Sequence, residues 1–144
     1  MTLQVSRTLL DQIRRHGEAS YPDEGAGLLY GEAHGDDRRA TALRPLANTH
    51  PKGERRRRYR IDPTDMMAAE DEAEALGLDV VGVFHSHPDH PAEASETDRE
   101  WALPWFSYLI TSVRSGRAAE SRSWRLVDDR SIMIEEPLLV AQEA

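Results

Sequence analysis

The segment Asp79-Val80-Val81-Gly82-Val83-Phe84 is apolar, rich in β-branched residues and too short for a helix, so it specifies a central, buried strand. It runs without a break into His85-Ser86-His87. Alternate side chains of a strand share a face, so the two imidazoles project the same way from positions roughly 6 to 7 Å apart along the backbone. Such a pair can grip one metal ion. The competing reading is a pair of solvated or hydrogen-bonded histidines at a strand end.

The rest of the chain arranges strands and helices irregularly about this strand. Ser6 precedes Leu9, Leu10 and Ile13 at helical spacing, which predicts a capped amphipathic helix ending near Gly17. The apolar, small-residue run 25–31 predicts a strand approached closely by neighbouring backbone, with Glu24 at its entrance. Residues 40–48 predict a second strand, near an edge or a bulge because of Pro45. Asp62-Pro63 reads as an N-cap followed by proline at the first helical position, and the helical pattern from Met66 to Leu76 stops at Gly77. Ser95 begins a third capped pattern, which places Asp98 at its third helical position. Residues 106–113, 123–127 and 131–134 predict three further strands. The expected class is α/β, with a central mixed sheet flanked by the 6–17 and 63–76 helices.

Composition narrows the chemistry. At 144 residues and 39% hydrophobic content, one domain spanning 1–144 is expected. The formal charge is −8, from 18 Lys and Arg against 26 Asp and Glu, which gives no footing for general binding to nucleic acid or anionic membrane. The sequence contains 0 cysteines, which excludes disulfides, thiolate ligands and a cysteine nucleophile. Any metal must therefore use His, Asp or Glu. No signal-peptide or membrane-span pattern occurs, so a cytoplasmic protein is expected. Within this acidic chain, Lys52, the run Arg55 to Arg58 and Arg60 form a local basic cluster. It reads either as a solvated loop and edge strand or as a surface for an acidic partner.

A catalytic zinc takes three protein ligands and keeps one position open, and Asp98 is the candidate third ligand beside His85 and His87. The order His85-x-His87-Pro88, seven residues from His87 to Ser95, two more and Asp98 resembles the JAMM (MPN+) family of zinc metallopeptidases. The upstream Pro22-Asp23-Glu24 before a small-residue strand, the Tyr59-Arg60-Ile61-Asp62-Pro63 helix entrance, Tyr108-Leu109-Ile110 and Glu135-Glu136-Pro137 extend the likeness over most of the chain. It resembles the short, stand-alone prokaryotic type.

The resemblance implies an MPN domain of cytidine-deaminase-like architecture. It implies one zinc per chain on His85, His87 and Asp98, with water as the fourth ligand. Glu24 would be the general base, and Ser95 would hydrogen-bond the oxyanion, unless Ser95 serves only as a helix cap. The implied reaction is hydrolysis of a peptide or isopeptide bond after the C-terminal Gly-Gly of a ubiquitin-like sulfur-carrier protein. No oligomeric state follows from it. One departure is Ala26, where many short relatives carry cysteine two residues after the glutamate.

Three other readings stand beside this one. His85-Ser86-His87-Pro88-Asp89-His90 also reads as the His-x-His-x-Asp-His signature of metallo-β-lactamase-type hydrolases, but no histidine follows His90 to complete a second site. A zinc nucleobase deaminase would need cysteine ligands. A catalytically silent MPN scaffold binding a ubiquitin-like partner is the alternative from a different class, and Asp89, His90 and Glu93 are acidic or imidazole groups in the spacer able to compete for metal.

Overall fold

The sequence builds one eight-stranded mixed sheet with the order β7-β6-β5-β4-β2-β3-β1-β8, seen in a computed structural model that describes residues 1–56 and 58–142. The strands are β1 (Thr2–Ser6), β2 (Ala26–His34), β3 (Asp37–Leu46), β4 (Asp79–Pro88), β5 (Ser107–Arg114), β6 (Arg117–Leu126), β7 (Met133–Glu136) and β8 (Leu138–Ala141). The helices are α1 (Arg7–Ser20), α2 (Pro63–Ala75) and α3 (Glu96–Trp101). The apolar run at 79–84 does form the middle of the sheet: β4 pairs antiparallel with β2 and parallel with β5.

Helix α1 begins as expected, with the Ser6 hydroxyl accepting from the Leu9 amide at 3.0 Å and Leu9, Leu10 and Ile13 buried. It continues past Gly17 to Ser20. A Cβ at Gly17 would stand 3.1 Å from Val113 and 3.2 Å from Ser86, so this glycine permits close packing of helix on sheet and is not a terminator. Gly27 serves β2 similarly, since a side chain there would overlap the Phe84 ring. The strand at Pro45 is an edge only locally. Strand β1 pairs with residues 37–39 of β3, leaving the Pro45 end bonded to β2 alone, where a missing N–H is tolerated.

Alternation along the strands separates two apolar layers. Leu29, Phe84 and Leu109 pack with α1, while Leu28, Tyr30, Val83 and Tyr108 pack against Ala69 and Ala73 of α2. The side chain of Asp62 caps α2 by accepting from the Thr64 amide at 2.8 Å. Glu72, on the acidic face of α2, pins the helix to the sheet through Tyr30 at 3.0 Å and Arg44 at 3.0 Å.

Strands β1 and β8 had no sequence expectation. Strands β7 and β8 are joined through Pro137 alone, yet they occupy opposite edges of the sheet. The sheet is therefore curled until its edges approach, and the Leu3 amide donates to the Pro137 carbonyl at 3.1 Å. No described helix is long and apolar enough to cross a membrane.

Candidate metal centre

The site lies at the carboxyl end of β4. His85 and His87 share the face of Val83, toward α2 and α3, and all three are buried. The register of β2 on β4 sets Ala26 opposite His85, which brings Glu24, just before β2, beside the histidines. One ligand atom from each of Glu24, His85 and His87 lies within 4.8 Å of the others. The turn after β4 leads into α3, whose first turn carries Asp98. Its Oδ1 is 3.2 Å from His85 Nε2 and its Oδ2 is 3.0 Å from His87 Nε2.

This donor set fits a zinc ion. Ligand atoms about 2.0–2.1 Å from a tetrahedral metal stand about 3.3 Å from one another, close to the two separations measured between Asp98 and the imidazoles. The His85 pair lacks hydrogen-bond alignment, so His85 Nδ1 and Nε2 and the Glu24 Oε1 atom are buried polar atoms without a hydrogen-bond partner. Such orphans are rare unless something else satisfies them. His87 Nδ1 is 2.9 Å from the Pro91 carbonyl; a carbonyl only accepts, so Nδ1 carries a proton and Nε2 is the nitrogen that would offer its lone pair to a metal, on giving up the proton it shares with Asp98. The ring of Tyr59 stacks on His85 with centroids 4.6 Å apart.

Electrostatics reinforce the grouping. Burial pushes the Glu24 carboxyl up to about 8, a shift that the His87 charge opposes and Asp98 adds to. Burial lowers His85. Burial also acts against the charge on His87, but the Asp98 hydrogen bond and charge outweigh it and raise that imidazole. For Asp98, desolvation opposes ionisation and the two imidazoles overcome it, holding the carboxyl well below the usual range.

Glu24, His85, His87 and Asp98 converge here, and Ser95 joins them through its hold on Asp98. The Ser95 hydroxyl accepts from the Asp98 amide at 3.0 Å, and Asp98 Oδ2 accepts from the Ser95 amide at 2.9 Å. This capping box fixes the carboxylate that meets both histidines. It uses the Ser95 oxygen as an acceptor and leaves its proton to donate. The spacer residues do not compete: Asp89 accepts from Tyr21 and from the Ser115 amide, Glu93 faces Arg122, and His90 is exposed.

Two positioning residues escaped sequence reasoning. Ser86 points away from the histidines, where its hydroxyl accepts from the Gly25 amide at 2.8 Å and its amide donates to the Gly25 carbonyl at 3.0 Å. Asn48 donates to the Glu24 and Arg58 carbonyls, each at 3.0 Å, and accepts from the His50 and Arg60 amides, each at 3.1 Å. With the Glu24 amide donating to the Arg55 carbonyl at 2.6 Å, Glu24 is braced by the basic segment and by the sheet together. The segment contains a short 3-10 turn, Lys52–Glu54, and no strand; Arg57 lies outside the described residues.

Residues 6–127 match the family described as prokaryotic homologs of the JAB domain. The chain is 36% identical over 106 residues to a desampylase from Haloferax volcanii, covering 73% of each protein. It is 32% identical over 130 residues to a probable TtuB-protein conjugate cleaving protease from Thermus thermophilus, covering 88% of this chain and 83% of that one. Its fold is shared with a JAB1/MPN domain protein from Archaeoglobus fulgidus, at a TM-score of 0.57 and 20% identity, over 94% of this chain and 98% of that one. With its α/β mixed sheet and its matched span running from α1 through β6, the chain belongs to the prokaryotic JAB-domain family.

Proposed function

We propose that this chain is a zinc-dependent metallopeptidase, acting as one domain over 1–144, that hydrolyses a peptide or isopeptide bond after the C-terminal Gly-Gly of a ubiquitin-like protein. The observation that carries this reading is the meeting of both imidazole Nε2 atoms with the Asp98 carboxylate, at 3.2 and 3.0 Å, beside the buried Glu24 carboxyl. His85, His87 and Asp98 would hold the zinc. Bound there, zinc supplies an acidified water and a Lewis acid for the scissile carbonyl.

The chain's own residues supply the rest. Glu24 takes a proton from the attacking water at its free Oε1 and delivers it to the departing amine. A carboxyl raised to about 8 by burial exchanges protons near neutrality, though a nearby cation draws that value down. The Ser95 hydroxyl donates to the oxyanion while its oxygen continues to cap α3. Asn48 holds the Glu24 carbonyl and Ser86 holds the adjoining Gly25 main chain, which limits how far the base can drift.

The substrate class is supported by the relatives named for desampylation and for cleaving TtuB–protein conjugates. A sulfur-carrier protein in the cytoplasm is the specific partner in this reading.

Metal analysis of protein purified without chelator tests the site: about one zinc per chain is expected in the wild type, and none in the His85→Ala/His87→Ala variant. The zinc-loaded enzyme should then release ubiquitin-like carriers from Gly-Gly-linked adducts, and Glu24→Gln should not. Absence of bound zinc even after its addition would overturn the hydrolase reading.

A further inference from the structure

The spacer between His87 and Asp98 is gripped from β6, a strand that lends no ligand to the metal centre. In the pairing of β6 with β5, Thr111 faces Ser121 but Val113 faces Ala118. Ala119 and Glu120 therefore stand together opposite the single Ser112. This is a β-bulge, a feature that re-aims a side chain. Helix α1 holds the main chain around it: Arg14 donates to the Ala118 carbonyl at 3.1 Å and to the Ala119 carbonyl, and Glu18 accepts from the Ala118 amide at 2.9 Å.

From the bulge, Glu120 reaches the spacer, where its Oε1 accepts from the Ala92 amide at 3.2 Å. Ala92 is fully buried, and its carbonyl accepts from the Trp124 indole at 2.9 Å. One peptide group joins this grip to the site. The Pro91 carbonyl and the Ala92 amide share a rigid plane and point opposite ways, because the bond between them is trans. On its far side that carbonyl accepts from His87 Nδ1 at 2.9 Å. A continuous line thus runs from carboxylate through peptide group to imidazole, and it ends at the Nε2 that meets Asp98.

The outer partner of a ligating imidazole fixes its tautomer and ring orientation and raises its basicity. A carboxylate does this more strongly than a neutral carbonyl. Here a carbonyl touches the ring, and a carboxylate sits at the other end of the same peptide. By drawing on the N–H it polarises the C=O and strengthens the bond to His87. Hydrogen bonds from its own backbone and from Ala92, with Arg114 nearby, hold the Glu120 carboxyl below its ordinary value, so it is charged at neutral pH.

We propose that Glu120 is a positioning residue for the metal centre, acting through the Pro91–Ala92 peptide group to orient His87 and strengthen it as a donor. This rests on the zinc reading above for the role of His87.

Zinc affinity, read at fixed pH by competition with a chromophoric chelator, tests it. Glu120→Ala should weaken zinc binding about tenfold to a hundredfold. Glu120→Gln keeps an acceptor and drops the charge, so a loss of roughly threefold is expected. Arg114→Ala removes the 3.4 Å contact of Arg114 with Glu120 and should change affinity by less than about twofold. The Glu120 side chain is 41% exposed, so urea unfolding should be nearly the same in all forms. Unchanged affinity in Glu120→Ala overturns the proposal. An equal loss in Glu120→Gln or in Arg114→Ala overturns it as well, because the first retains the acceptor and the second leaves the line to His87 intact.

The zinc-free protein gives a second readout that needs no metal. In ¹⁵N–¹H spectra of the imidazoles, the His87 Nδ1 proton should be protected from water, and Glu120→Ala should speed its exchange severalfold while Glu120→Gln stays close to wild type. Wild type that takes up no zinc, yet whose His87 proton answers to Glu120, overturns the hydrolase reading and keeps this one. Zinc bound equally by all forms, with that proton indifferent to Glu120, does the opposite.

Discussion

Two clusters of buried charge sit toward opposite ends of the β4–β5 pair, and they are finished differently. At the amino end of β5, opposite Gly82, Arg125 and Glu136 are 3% and 1% exposed and stand 3.0 Å apart. That contact is an ion pair off the hydrogen-bond axis, since Glu136 Oε1 has no aligned donor. Around it Ser123 donates to Glu136, and Arg125 donates to Ser107 and to the Asp36 carbonyl. Arg38, also buried, donates to the Trp105 carbonyl and lies 4.3 Å over that ring. Each charge has an opposite charge or a set of acceptors within the protein. At the carboxyl end of β4, Glu24, His85, His87 and Asp98 are also buried, yet Glu24 Oε1 and His85 Nδ1 have neither a hydrogen-bond partner nor the ion-pair contact that Glu136 Oε1 keeps with Arg125. Burial of charge is common to both. What distinguishes a site is polar capacity left open and pointed inward, because an unmet buried group is costly and persists only where something else answers it.

The largest effect that would sharpen this contrast is on metal. His85→Ala/His87→Ala should abolish zinc uptake by elemental analysis and, because it strips the buried Asp98 carboxylate of both imidazole partners, should also lower the denaturant midpoint of the zinc-free protein; zinc still bound at the wild-type ratio would mean that the histidines belong to the structural class. Next, Glu24→Gln should lower turnover by about 10² to 10⁴ with zinc content unchanged. The same substitution has a pH signature in the zinc-free protein. A carboxyl raised from 4.5 to about 8 stays protonated in the fold after the unfolded chain has released its proton. Stability is therefore unaffected below about pH 4.5, falls as pH rises toward 8, and is constant above it, by at most about 5 kcal/mol. Urea melts across that window should show the decline in wild type and a flatter profile in Glu24→Gln.

At the other cluster, Glu136→Gln leaves the Arg125 charge buried without its counterion, so unfolding free energy should drop by about 3–5 kcal/mol with zinc affinity retained. A matching loss of zinc affinity would dissolve the distinction. The smallest effect concerns Ser95. Glycine is nearly as good an N-cap as serine, so Ser95→Gly should cost only a few tenths of a kcal/mol in stability. Turnover should fall by about tenfold or more if the hydroxyl serves the oxyanion, and should hold if capping is its whole role.

The two histidines and Asp98 were legible as a group because they depend on short-range rules: the strand period puts His85 and His87 together, and an N-cap three residues earlier puts Asp98 on the first turn of α3. Helices α2 and α3 announced themselves through Asp62-Pro63 and Ser95 for the same reason. What was hidden depends on pairing between distant segments. Ser86 bonds Gly25 and Asn48 bonds Glu24, each from its side chain to the backbone, across 61 and 24 residues of separation, and nothing local marks either one. Arg38, Arg125 and Glu136 read as surface charges until the sheet brings them together. Strands β1 and β8 are short, and they are set by distant pairing, β1 on β3 and β8 on β1. Gly17 misled because a close contact with Ser86 and Val113 and a helix stop use the same residue.

The curl of the sheet has a kinetic consequence. Strand β1 is made first and β8 last, and Leu3 pairs with Leu138 across nearly the whole length of the chain. Such pairing carries a large loop-closure entropy and slows folding. Until Pro137 turns the last strand back toward the first, β1 shows an open edge, and nascent chains are then exposed to pairing with one another. Once β8 is seated on β1 the two strands share a common fate: their amide protons should exchange together, as one cooperative unit.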